Sequence, residues 1–133
     1  MLVPPLQGQA GLVTEFKFDR QRDVGSVNRT NRVGAVFKDL YRLSTYDPTA
    51  PWIRLFVYVT EGEMARHFRS PRLGFQCFFD GPLDTTLDDL FALSSVASIQ
   101  THLTGLKSSA RVRQVFSREQ DGLFLRLYQV SQP

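Results

Sequence analysis

Residues 52–60, Trp-Ile-Arg-Leu-Phe-Val-Tyr-Val-Thr, leave the chain little choice of fold. A nearly unbroken apolar run of this length, rich in β-branched and aromatic side chains, predicts a strand buried on both faces. Such strands lie centrally in parallel or mixed sheets. A second apolar run, Gly11 to Phe18, predicts another strand. Between the two, Val33, Val36, Phe37, Leu40, Leu43 and Ser44 recur at helical spacing and predict a helix over residues 31–46, with Lys38, Asp39 and Arg42 on its opposite side. Thr30 or Asn31 caps the start of that helix, and Asp47-Pro48 ends it. Strand 11–18, helix 31–46 and strand 52–60 together make a βαβ unit, whose crossover is expected to be right-handed.

Around this unit the signals are shorter. Residues 1–10 read as an irregular arm, and residues 19–30 as a polar loop carrying Arg20, Arg22 and Arg29. Thr60 is placed to cap a short helix, Glu61 to Phe68, with Glu63 at the third helical position as a capping box requires. Gly74 to Phe79 reads as a strand, and residues 84–106 as helical in two pieces, Thr86 to Leu93 and Val96 to Leu106. The chain closes on a hairpin over residues 111–130, with Asp121-Gly122 in the turn between two alternating runs. On its second strand, Leu123, Leu125 and Leu127 share one face, and Phe124, Arg126 and Tyr128 the other. The aromatic and arginine face suits a second core or an interface better than stacking on bases. The fold class expected is therefore α/β, a mixed central sheet with one βαβ unit and a C-terminal β-hairpin, in a single domain over residues 1–133.

Composition narrows the function classes. With 133 residues, 42% hydrophobic and 22% charged, the chain suits one globular domain that buries roughly two thirds of its unfolded surface. Cys77 sits in the run Phe75-Gln76-Cys77-Phe78-Phe79 and reads as a buried, inert thiol. His67 and His102 have no second ligand at metal spacing, which argues against a zinc site. No stretch reaches the length of a membrane span, Pro4-Pro5 would interrupt a signal peptide, and a cytoplasmic location is expected. Basic residues outnumber acidic ones 16 to 13, and 13 of the 16 are arginine, the side chain best shaped for bidentate phosphate contacts. Arg20, Arg22, Arg29 and Arg32 form either a phosphate-gripping rim or a solvated loop balanced by Asp19 and Asp23. Arg66, Arg69 and Arg72 form a second basic group that reads as solvated.

The tripeptide Glu15-Phe16-Lys17 carries the most chemistry. On a strand, Glu15 and Lys17 project from the same face about 7 Å apart. A carboxylate there can hold a divalent cation while the lysine orients water or stabilises developing charge; the plainer alternative is a half-exposed ion pair worth less than ~1 kcal/mol. The order of this strand, a loop, a helix with Phe37-Lys38-Asp39-Leu40-Tyr41-Arg42-Leu43, and a buried strand with Tyr58-Val59-Thr60 and Met64-Ala65-Arg66 beyond resembles the core of the PD-(D/E)XK restriction-endonuclease-like superfamily. The resemblance covers residues 11–70.

It implies a metal-dependent nuclease in which Glu15 ligates Mg²⁺, Lys17 and Lys38 complete the catalytic set, and Arg20, Arg22, Arg29, Arg32 and Arg42 contact nucleic acid. The chain departs from the family in one respect: residues 1–14 contain no aspartate or glutamate, so the family's upstream motif aspartate has no counterpart. The domain is accordingly expected to be N-terminally incomplete, to be completed by a second subunit, or to have exchanged catalysis for binding nucleic acid or protein. A missing first strand would leave an open sheet edge, so a homodimer through that edge is expected.

Overall fold

The computed structural model describes residues 1–20 and 26–133, the side chains of residues 26–28 excepted. Six strands form one mixed sheet in the order β1-β2-β3-β6-β5-β4: β1 is Leu2–Val3, β2 Gly11–Asp19, β3 Trp52–Glu61, β4 Asp84–Thr86, β5 Arg111–Gln120 and β6 Leu123–Ser131. The helices are α1 (Ser26–Thr45), α2 (Gly62–Phe68), α3 (Gln76–Asp80), α4 (Leu87–Phe91) and α5 (Ala97–Leu103). β2 and β3 run parallel, joined through α1, and every other pair is antiparallel.

Alternation divides the sheet into two faces. Register places Glu15 beside Phe56 and Lys17 beside Tyr58, so the odd positions of β2 share a face with the even positions of β3 and β6. That face packs on the helices. Phe56, Tyr58, Tyr128 and Val130 meet Val33, Val36, Phe37 and Leu40 of α1, together with Phe68, Phe78 and Leu90 of the shorter helices. Gly34 lets α5 approach α1, since a Cβ there would lie 2.6 Å from His102 Cγ. The β5–β6 hairpin turns through Asp121 and Gly122, both at positive φ, which is the backbone that an Asp-Gly pair accommodates.

Several local expectations are corrected. β3 is buried on one face only: its odd positions are half-buried, and Ile53 is exposed. Residues 76–80 form helix α3 rather than a strand, because Phe78 and Phe79, neighbours in sequence, are both buried, which a half-buried strand could not achieve. Cys77, between them and Gln76, is exposed instead of buried. Thr60 does not cap α2. Its hydroxyl donates to the Asp19 carbonyl at 3.0 Å, and Glu61 occupies the cap position without a side-chain hydrogen bond. Asp39 is buried against the sheet rather than lying on the outer side of α1. The helix begins at Ser26, a turn earlier than its apolar period indicates. The arm is not wholly irregular, for Leu2–Val3 pairs with Leu12–Val13. The stretch 84–106 opens with strand β4, which pairs with β5.

Candidate functional site

β2 presents Val13, Glu15, Lys17 and Asp19 to the helical layer, and two clusters follow from that placement. In the first, Lys17 Nζ lies 3.2 Å from Asp39 Oδ2, and Arg42 donates to the other oxygen of the same carboxylate. Asp39 is buried and reaches the sheet because α1 turns its 33/36/37/40 stripe inward, with residue 39 at its flank. Lys38, about 100° further round the helix, is exposed and faces away from Lys17. Glu15 is half-buried on the same face of β2. At the end of the strand, the Tyr58 hydroxyl donates to the Asp19 carboxylate at 2.7 Å. Burial first, and then the Asp19 charge, push the Tyr58 hydroxyl well above its ordinary range. Below this level β1 covers β2. No strand among the described residues pairs with the outer edge of Glu15–Asp19.

The second cluster lies at the carboxyl ends of the parallel strands, the position where open α/β sheets commonly bind ligands. α2 starts directly after β3. With the first turns of α1, it encloses a cleft of about 240 Å³ lined by Arg29, Glu63, Arg66, His67 and Ser70. Arg29 pairs with Glu63 at 3.4 Å, and Thr30 Oγ1 lies 3.3 Å from His67 Nε2. Arg66 is exposed at the rim. Burial lowers the His67 pKa, and the charges of Arg29 and Arg72 lower it further, so the imidazole is neutral at neutral pH. Arg20 stacks over the Phe18 ring at 5.5 Å, and Arg32 donates to the Arg20 carbonyl at 2.9 Å, which fixes both beside the end of β2.

Of the residues the sequence nominates, the fold thus gathers Glu15, Lys17 and Arg42 at the edge of β2 and sets Arg20, Arg29 and Arg32 near its carboxyl end. Lys38 is set apart, and Arg22 lies outside the described residues. Three participants escape sequence reasoning: Asp39 as the counter-ion of Lys17, and His67 and Ser70 in the cleft. The sequence signal available for the first is the four-residue interval from the buried Val36 to Leu40, within which a charged residue next to Leu40 can face inward.

The donors present fit a resident divalent cation poorly. A hard cation of the Mg²⁺ type needs carboxylate oxygens, and Asp39 commits both of its own to Lys17 and Arg42. Among the described residues, no three or more His, Cys, Asp or Glu side chains gather as metal ligands. No helix among them is long and apolar enough to cross a membrane. No protein-family model, curated protein or solved structure matches this chain.

The lowered His67 pKa fixes a pH dependence. The folded state refuses a proton that the unfolded chain, titrating near 6.5, accepts, so stability is full above that value and falls as pH drops below it. The unfolding free energy is expected to decrease between pH 7.5 and 5.5 in the native chain and to change less in His67→Gln, as read from urea midpoints. Equal slopes in the two proteins would remove His67 from the account.

Proposed function

We propose that this chain is a nucleic-acid-binding module built on a nuclease-like βαβ frame, and that by itself it does not hydrolyse phosphodiesters. One observation carries the reading: the cleft at the carboxyl ends of β2 and β3 brings two guanidinium groups and a hydroxyl together against a single carboxylate. Arginine forks suit phosphate oxygens, and the neutral His67 adds a hydrogen-bonding group without a second charge to desolvate. Arg20 and Arg32 extend the positive rim along the end of the sheet. About 20 Å away along α1, the Lys17–Asp39–Arg42 cluster adds an exposed guanidinium at position 42, in reach of a phosphate further along the same strand.

Fluorescence anisotropy with labelled single-stranded DNA, duplex DNA and RNA tests the proposal between 50 and 200 mM salt. Affinity is expected to fall linearly with the logarithm of salt concentration, and Arg66→Ala to reduce the slope by about one while weakening all sequences alike. Absence of binding at 50 mM salt would overturn it. In parallel, incubation of a DNA substrate with Mg²⁺ or Mn²⁺ is expected to give equal background cleavage for the native chain and Glu15→Ala. A rate that depends on Glu15 would restore the hydrolytic role that the resemblance implies.

A further inference from the structure

Among the described residues no element covers the side of the sheet away from the helices, and the middle of that face is apolar, with Arg111, Arg113, Gln129 and Ser131 beyond it on β5 and β6. Phe16 is 64% exposed, Phe116 48% and Phe18 47%, and Ile53 and Leu123 extend the patch along the strands. Between them Val57, Val59, Leu125 and Leu127 are half-buried. Register makes the patch continuous. Phe16, Val57, Leu127 and Phe116 lie in one row across β2, β3, β6 and β5, and Phe18, Val59, Leu125 and Arg118 lie in the next. The β-bulge between Gln114 and Phe116 turns Phe116 onto this face after Gln114 has pointed into the core. Soluble monomers rarely expose a contiguous apolar patch beyond a few hundred Å².

We propose that this face is the interface of a two-fold dimer, a second copy of this chain packing sheet against sheet. Four strands of nine or ten residues, spaced about 4.8 Å and rising about 3.3 Å per residue, give a face about 19 Å by 30 Å. Two such faces cover about 1,100 Å² in projection, above the roughly 1,000 Å² that a specific interface must clear, before side-chain relief is counted. A single helix, about 10 Å wide, would cover half the width and leave either Phe16 or Phe116 in water. An equal sheet covers both.

The face is also complementary to itself. A two-fold axis along the strands, between β3 and β6, lays β2 over β5 of the other copy and β3 over β6. Phe16 then meets Phe116, Val57 meets Leu127, and Phe18 meets Arg118, which places a guanidinium on an aromatic ring at each end of the contact. This interface is distinct from the outer edge of β2, where no strand among the described residues pairs with Glu15–Asp19.

Sedimentation equilibrium at about 20 μM tests the proposal. The native chain is expected at twice its 15.2 kDa mass. The Phe16→Glu/Phe116→Glu variant is expected at the monomer mass, with unchanged far-UV circular dichroism because neither ring belongs to the core. Should that variant fail to fold, Phe16→Ala/Phe116→Ala is expected to dissociate at a concentration at least tenfold higher than the native dimer does. A native mass of 15.2 kDa at up to about 100 μM would overturn the proposal. So would a dimer that either variant leaves intact, because association would then run through a sheet edge.

Discussion

Phe37→Ala is expected to cost about 3–5 kcal/mol of folding stability, enough to leave a domain of this size largely unfolded near 37 °C. Phe37 is fully buried at the middle of α1 and is the ring on which separate elements converge. Phe75 meets it edge-on at 4.6 Å and Phe78 at 5.0 Å, and Phe91 tilts against it at 5.9 Å. Phe78 cannot move in to close the gap. Phe78 is itself stacked on Tyr128 at 4.5 Å, and the Tyr128 hydroxyl donates to the Phe78 carbonyl at 2.7 Å, so the far side of the ring is pinned to β6. A cavity that cannot collapse keeps the full penalty. Phe37→Leu, which fills most of the space, should lose about 1–2 kcal/mol by the same principle. Urea denaturation of the two variants checks this. A loss below ~1 kcal/mol in Phe37→Ala would mean that the aromatic cluster repacks and is not the centre of the core.

The same cluster marks the limit of what the sequence makes legible. The apolar stripe of α1 is a 3.6-residue period sustained over Val33 to Leu43, and the β5–β6 hairpin announces itself through alternation and Asp121-Gly122, so both are readable. Phe75 to Phe79 has no period. Its adjacent buried rings fit a single helical turn wedged between α2 and the hairpin, a tertiary solution that no local pattern specifies. The strand β3 fails differently. An apolar residue that faces the core and one that faces a bare surface look identical in sequence, so Ile53, Val57 and Val59 read as core when they lie on the open face. At the candidate site, Glu15 and Lys17 are visible from their spacing. That Lys17 is tied to Asp39 depends on the rotation of α1 over β2, and so does the loss of Asp39 as a free carboxylate. The cleft was only half legible. Arg29 and Arg66 stand out as charges, but His67 and Ser70 join them only because α2 follows β3 with no intervening loop.

Arg126→Ala is expected to cost about 2–3 kcal/mol, and Arg126→Met roughly half of that. Arg126 is 2% exposed, with its guanidinium 4.3 Å from the centre of the Phe79 ring. Its Nε donates to the Phe79 carbonyl, and its Nη2 lies 3.2 Å from Glu119 and 3.4 Å from Asp80. A buried ion pair broken from one side usually leaves a stranded charge and a larger loss. Here the carboxylates left behind reach water and keep Arg69, at 2.8 Å from Asp80 and 2.6 Å from Glu119, so the charge term is small. What Ala removes is the packing on Phe79 and one of the two donors to a buried carbonyl. Methionine restores the stem over the ring but not the donor to the carbonyl, which keeps only Gln114 Nε2 at 3.0 Å, and so it recovers only part. Hydrogen bonds from Arg69 first, and then Arg126, hold the Asp80 and Glu119 carboxyls below their ordinary range, so both variants should keep part of the native loss of stability on acidification below about pH 4.5 and shed the share that Arg126 supplies. Arg126 also ties the hairpin to α3, and that hairpin carries Phe116, Leu125 and Leu127 on its other face. Loosening it from the core side should therefore weaken self-association as well, whereas Phe16→Glu/Phe116→Glu should abolish association and leave the stability of the separated monomer alone, the concentration-dependent part being lost with the dimer. Urea midpoints and sedimentation on the same two proteins separate the roles. If Arg126→Ala lost under ~0.5 kcal/mol, the guanidinium would be no more than a surface charge caught in an apolar gap.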